Sequence, residues 1–188
     1  MGLIARRPVL RGLGLAAGAT LAAGLTARKP LAAELSPLAE ILEPVTPPAP
    51  PPAISFVDVN GKTHTLAEFK GHGLVVNLWA TWCAPCIAEL PSLAKLARTL
   101  APDDIAVLPL SSDHGGKPAV EAFLSGHKIE GLPVLLDPEG EVLRAWHARG
   151  IPTTLLIDRE GRAQARVEGS ADWADPAAIA LVKKLVLS

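Results

Sequence analysis

A chain of 188 residues has room for one folded domain behind a leading segment. Its formal charge of −1 hides an asymmetry: residues 1–33 hold Arg6, Arg7, Arg11, Arg28 and Lys29 and no acid, whereas the remainder carries 13 basic against 19 acidic side chains, a net of −6. A mildly acidic body without a basic patch excludes nucleic-acid binding.

Arg6 and Arg7 precede an uncharged run of 16 residues, 12–27, rich in Leu, Ala and Gly. A full membrane span takes about 17–25 residues, so the run reads as a targeting segment. Arg6-Arg7-Pro8-Val9-Leu10-Arg11 resembles a twin-arginine export signal, departing from it at Ala5 and Val9. Residues 1–33 are expected to be that signal, cut after Ala33 or kept as a membrane anchor. Ser36-Pro37 suits the start of one short helix through Leu38, Ile41 and Leu42. Residues 44–52 then hold six prolines in nine positions. Such a run is expected to form neither ladder nor helix but an extended spacer of roughly 28 Å. Residues 34–53 are therefore read as a short helix and linker, and residues 54–188 as the domain.

The domain begins with a hairpin, residues 56–59 and 62–66 about Asn60-Gly61, and a helical turn at 66–71. An apolar run at 74–78 predicts a buried strand, and a helix follows over 83–100. Leu90, Leu93, Leu96, Ala97 and Leu100 form its core face, and Pro91 is expected to kink it. Residues 105–110 read as a strand buried on both sides, 117–126 as a helix and 133–137 as a short strand. Strands at 153–157 and 163–168 flank the turn Asp158-Arg159-Glu160-Gly161, and a helix over 177–187 closes the chain. Alternating strands and helices ending in a hairpin predict an α/β fold, a mixed central sheet with helices on both faces.

The only cysteines, Cys83 and Cys86, stand between the strand at 74–78 and the helix. A structural disulfide this short restrains little of the unfolded chain. Zinc needs about four ligands, and the five histidines have no ligand spacing, so no metal is expected. A redox dithiol remains. Unpaired N–H groups at a helix start favour a thiolate at Cys83, and Pro85 fits the first turn because that turn needs no N–H from it. Cys83, outermost, is read as the nucleophile and Cys86, one turn inside, as the resolving thiol. Glu89 lies three residues beyond Cys86 on the same face; buried, its carboxyl has a raised pKa and takes the Cys86 proton, whereas solvated it merely favours the helix dipole. Trp82 is expected half exposed beside Cys83 as a substrate platform, with Trp79 in the core. Trp146, Trp173 and the histidines read as packing or surface, with a weak hint of active-edge placement for Asp113 and His114.

The segments Val75-Val76-Asn77-Leu78-Trp79-Ala80-Thr81-Trp82-Cys83-Ala84-Pro85-Cys86 and Gly150-Ile151-Pro152-Thr153-Thr154-Leu155-Leu156-Ile157-Asp158 resemble the TlpA/ResA (DsbE-like) branch of the thioredoxin superfamily. The resemblance implies a thioredoxin-like fold with an N-terminal β-hairpin and a central βα insertion around residues 130–147. It implies a cis Pro152 facing the cysteines, with the Ile151 backbone exposed to pair with a substrate chain. Thioredoxin's buried Asp, six residues before the first cysteine, is replaced here by Asn77, which favours an active Glu89.

The function so implied is that of a periplasmic thiol–disulfide oxidoreductase, either released or held at the inner membrane, and monomeric. It would reduce disulfides in exported proteins, as in cytochrome c maturation or oxidase copper-site assembly. Its electrons would come from a membrane donor of the DsbD or CcdA type, with no cofactor beyond the Cys83–Cys86 pair. Ala84-Pro85 lacks the histidine of strongly oxidising relatives, which leans toward a reductant. A dithiol oxidase and a non-catalytic binding module remain alternatives. A thiol peroxidase of Thr-x-x-Cys type and a copper chaperone with a CxxxC pair do not fit the spacing.

Overall fold

The structure, a computed structural model, describes Gly2 and residues 37–188. The expected export segment, Gly2 aside, lies outside the described residues. The strands are β1 (Leu42–Ala49), β2 (Ser55–Asp58), β3 (Thr63–Thr65), β4 (Gly73–Trp79), β5 (Ile105–Ser111), β6 (Leu135–Leu136), β7 (Thr153–Ile157) and β8 (Ala163–Glu168). The helices are α1 (Leu38–Ile41), α2 (Ala84–Leu100), α3 (Gly116–Gly126), α4 (Glu141–Ala145) and α5 (Pro176–Val186). All eight strands join one mixed sheet in the order β1-β8-β7-β4-β5-β6-β2-β3. β5 runs parallel to β4 and β6, and every other pairing is antiparallel.

β4 is buried along its whole length, as its apolar run predicts. Its alternation divides the core. Val75 and Trp79 join Leu90, Leu93, Leu96 and Leu100 of α2 and Val182 and Val186 of α5. Leu74, Val76 and Leu78 join Leu155, Ile157, Val142 and Trp146 on the opposite face. The four α2 leucines are fully buried, each contributing about 1.5–3 kcal/mol toward holding that helix on the sheet. Pro91 lies inside α2 without ending it, although it has no N–H to offer the Ile87 carbonyl. The fold is thioredoxin-like, α/β with helices on both faces of the sheet.

Two local expectations change. The strand expected over 133–137 is only Leu135–Leu136, held between β5 and β2. The proline-rich stretch, expected to be a ladder-free spacer, is largely the edge strand β1. It pairs with β8 through Leu42↔Val167, Glu43↔Arg166 and Pro44↔Ala165, and again at Ala49↔Ala163 after a break in register. An edge strand has a neighbour on one side only, so prolines without N–H groups are tolerated there. Upstream of it, α1 has Pro37 at its start with no side-chain cap, and Leu38 is buried in the core. The sheet thus extends before residue 54, and residues 38–49 pack as part of it.

Candidate active site

β4 ends at Trp79, and after Ala80, Thr81 and Trp82 the chain turns at Cys83 into α2, which begins at Ala84. Cys83 is the cap of that helix: its backbone is extended and its Sγ accepts from the Cys86 N–H at 3.3 Å. Cys83 and Cys86 are joined as a disulfide, with Cα atoms 5.3 Å apart. Cys83 keeps 6% of its surface exposed and Cys86 none, so the outer sulfur belongs to Cys83. The first-turn N–H groups and the positive end of the helix dipole favour negative charge at that sulfur.

The turn before Cys83 is fixed from the neighbouring strand. The Trp79 carbonyl accepts from the Ser112 N–H at 3.0 Å. Asp113, nearly buried, accepts from the Thr81 N–H at 2.9 Å, the Thr81 hydroxyl at 2.6 Å and the Ser111 hydroxyl at 2.7 Å. The weak hint at Asp113 thus marks an anchor of the active-site turn. With its turn held, Trp82 stands 69% exposed, further out than expected, and Trp79 is buried.

Opposite the disulfide, the residues before β7 form the second wall. The Ile151–Pro152 peptide is cis, and the Ile151 carbonyl lies 3.6 Å from Cys83 Sγ. A groove of about 620 Å³ runs past the outer sulfur, lined by Trp82, Pro85, Ile151, His114, Leu143 and Arg144 among others. Leu143 and Arg144 belong to α4, so the segment expected as an insertion forms one side of the groove. Trp82, Pro85, Ile151 and Cys83 therefore meet on one surface, while Cys86, Glu89 and Pro152 lie beneath it.

Glu89 is fully buried. Its Oε1 accepts from Asn77 Nδ2 at 2.9 Å, and its Oε2 accepts from the Ala171 N–H at 3.0 Å and Trp173 Nε1 at 2.8 Å. Burial pushes the carboxyl from its ordinary 4.5 up to about 7, against the pull of these three donors. Asn77 Nδ2 also donates to the Thr154 hydroxyl at 2.9 Å. Trp173, read in sequence as packing or surface, is packed in the core, and its bond to Glu89 is not legible in sequence. A buried indole N–H needs an acceptor, yet nothing local says which one. Among the described residues, no three His, Cys, Asp or Glu side chains are arranged to hold a metal ion, and no helix is long and apolar enough to cross a membrane.

Comparison with known proteins places this geometry. The AhpC/TSA family model matches residues 47–166. The chain is 30% identical over 118 residues to the thiol-disulfide oxidoreductase ResA of Bacillus thuringiensis subsp. konkukian, covering 63% of this chain and 67% of the relative. It is 33% identical over 119 residues to ResA of Bacillus subtilis, covering 63% and 65%. Among solved structures, a thiol:disulfide interchange protein of the thioredoxin family from Chlorobium tepidum superposes with a TM-score of 0.60 at 30% identity, covering 73% of this chain and 96% of that one.

Proposed function

This chain belongs to the AhpC/TSA family, as a TlpA/ResA-like thiol–disulfide oxidoreductase of the thioredoxin superfamily, and we propose that it works as a reductant of disulfides in exported proteins. The observation that carries the thiol-exchange chemistry is the arrangement along α2: an outward Cys83 at its start, a buried Cys86, and a buried carboxyl one turn further in. The reducing direction rests on the family resemblance and on Ala84-Pro85, which lacks a histidine.

In the reduced enzyme the Cys83 thiolate attacks one sulfur of a client disulfide. A mixed disulfide forms, the client S–S bond breaks, and the first client thiolate leaves and takes a proton from water. Glu89, in its ionised form, takes the proton of the Cys86 thiol; a carboxyl near 7 is matched to that task at neutral pH. The Cys86 thiolate attacks Cys83 Sγ, the Cys83–Cys86 disulfide forms, and the second client thiolate leaves and receives a proton from Glu89. Two electrons and two protons pass to the client, and the enzyme ends in the disulfide state seen here.

The client lies along the Trp82–Ile151 surface, with its main chain against the Ile151 backbone as an added strand. The dithiol is the only redox group invoked, and the enzyme acts as a monomer. Regeneration needs a membrane donor of the DsbD or CcdA type. The paired arginines, the apolar run at 12–27 and the redox pair together support a periplasmic site of action, tethered or released, with clients of the cytochrome c or copper-site assembly kind.

The test is the reduction potential of the Cys83–Cys86 couple in the full chain, poised in glutathione or dithiothreitol buffers. A value near or below about −270 mV supports a reductant; one near −120 mV reverses the direction of electron flow.

A further inference from the structure

The two oxygens of Glu89 are not equivalent. Oε2 receives the Ala171 N–H and the Trp173 indole N–H, two groups that donate and cannot accept. Both of its lone-pair positions are therefore filled, and a proton placed there displaces one of these donors. Oε1 receives only Asn77 Nδ2, so it can take a proton, but that proton has no acceptor among the described residues unless Asn77 turns its carbonyl toward it. Asn77 is the one partner that can serve in either direction, because a half-turn of its amide exchanges N–H for C=O. The next group along can also reverse, since the Thr154 hydroxyl accepts from Asn77 Nδ2 in this structure and can instead donate. The buried Asn77 Oδ1 has no hydrogen-bond partner among the described residues, so nothing holds the amide to one orientation from its far side.

We propose that Trp173 and the Ala171 amide are positioning groups for the exchange reaction. By filling Oε2 with donors, they direct the proton that Glu89 takes to Oε1, where Asn77 and Thr154 reverse their hydrogen bonds to receive it. In the ionised state Nδ2 of Asn77 donates to Glu89 Oε1 and to Thr154. In the protonated state the Oε1–H and the Thr154 hydroxyl both donate to the turned Asn77 carbonyl. One proton arrives from Cys86 and none leaves; the turn pairs Oδ1, which is unpartnered among the described residues in this structure, and releases both N–H groups of Nδ2 from Glu89 and Thr154.

Ser92 fixes the indole in place. Its hydroxyl donates to the Glu89 carbonyl at 2.8 Å and accepts from the Trp173 N–H at 3.2 Å, tying the backbone of Trp173 to the helical turn that carries Glu89. No ionised side chain contributes to the shift at Glu89. The groups that meet it are Asn77 of β4, with Thr154 of β7 behind it, and Ala171 and Trp173 of the segment before α5. On its own helix the titratable neighbour is the Cys86 thiol of the reduced enzyme.

The inference rests on the role given to Glu89 above, and its test reads the hydrogen bonds without turnover. In the full chain, reduced and oxidised, the Glu89 carboxyl carbon and the Trp173 indole and Asn77 amide N–H signals are followed by NMR from pH 5 to 9. The expected result is that the Trp173 indole stays hydrogen-bonded and slow to exchange on both sides of the Glu89 midpoint. The Asn77 amide protons, in contrast, lose their bonded shifts as Glu89 protonates. An indole that loses its bond at low pH, or an Asn77 amide indifferent to the titration, overturns the proposal. Trp173→Phe keeps a ring and removes the donor; the Glu89 midpoint and the pH profile of dithiol exchange should both move up by about one unit. An unmoved midpoint in a folded Trp173→Phe variant also counts against it. If Glu89→Gln exchanges thiols at the parent rate, the catalytic reading of Glu89 fails while the assignment of the proton to Oε1 still stands on the spectra.

Discussion

Asp113 takes both the hydroxyl and the amide of Thr81, at 2.6 and 2.9 Å, across 32 positions of chain. The same carboxylate accepts from Ser111 and is 5% exposed. It joins the end of β5 to the turn that aims Trp82 and Cys83. Asp113→Ala removes three charge-assisted bonds and leaves the Thr81 and Ser111 donors without their acceptor. The expected loss is about 2–4 kcal/mol of stability in urea unfolding, with slower thiol exchange and Asp113→Asn falling between. An alanine variant within about 0.5 kcal/mol of the parent would show that the turn holds itself.

The buried carboxyl of Glu89 also leaves a signature in stability against pH. Its value is raised from 4.5 to about 7, chiefly by burial. Between those values the folded protein holds a proton that the unfolded chain has released. The contribution of this group is therefore fully present below about pH 4.5 and is lost as pH rises through 7. Glu89→Gln removes that slope. Above pH 7 the variant should exceed the parent by up to about 3 kcal/mol, and the two should converge near pH 4.5. Paired chemical unfolding of the oxidised proteins across this range checks it; a glutamine variant weaker than the parent at pH 8 would mean that burial is not what raises the carboxyl.

Single cysteine variants separate the two sulfurs. Cys86→Ser retains the outer nucleophile without the group that resolves it, so it should accumulate a mixed disulfide with a model disulfide peptide. Cys83→Ser should trap none, since Cys86 has no exposed surface. Intact mass after acid quenching reads both. Adduct on Cys86 in the Cys83→Ser variant would reverse the assigned roles.

Removal of residues 1–53 takes away β1 and the buried Leu38. It uncovers the backbone of β8 and a patch of core. A chain starting at Ile54 should unfold about 3 kcal/mol or more earlier than one starting at Pro37 and should associate as its concentration rises. Light scattering and urea midpoints of the two compare directly. Equal stability would make β1 a passenger on the sheet.

The parts of the fold visible in sequence are those whose causes are local. Residues 74–78 are apolar enough to demand burial on both faces, and the pair at Cys83 and Cys86 sits where a helix start must follow. Glu89 is placed one turn beyond Cys86 by helical spacing, but that spacing alone fits a buried carboxyl and a solvated one equally, and its burial is decided by the packing of Asn77, Ala171 and Trp173 around it. Ile151 and Pro152 are legible only through resemblance, because an isolated X–Pro says nothing of what it faces. What escapes is whatever depends on a distant partner. The prolines at 44, 47 and 48 forbid a central strand, but whether an edge is available depends on β8, more than a hundred residues away. The indole of Trp173 meets Glu89 across 84 positions, and no pattern around either residue specifies the other.

The edges of the sheet bear on how long a client stays. β1 contains Pro44, Pro47 and Pro48, and β3 at the far end has three residues. Neither offers the run of N–H and C=O groups along which an unfolded chain could zip. In the proposed reaction, the main chain beside Cys83 that a client would grip is the short stretch at Ile151. A hold of one or two residues would have a short residence time, so on the proposed mechanism the covalent bond between Cys83 and the client would set the lifetime of the complex. Once Cys86 breaks that bond, little else detains the product.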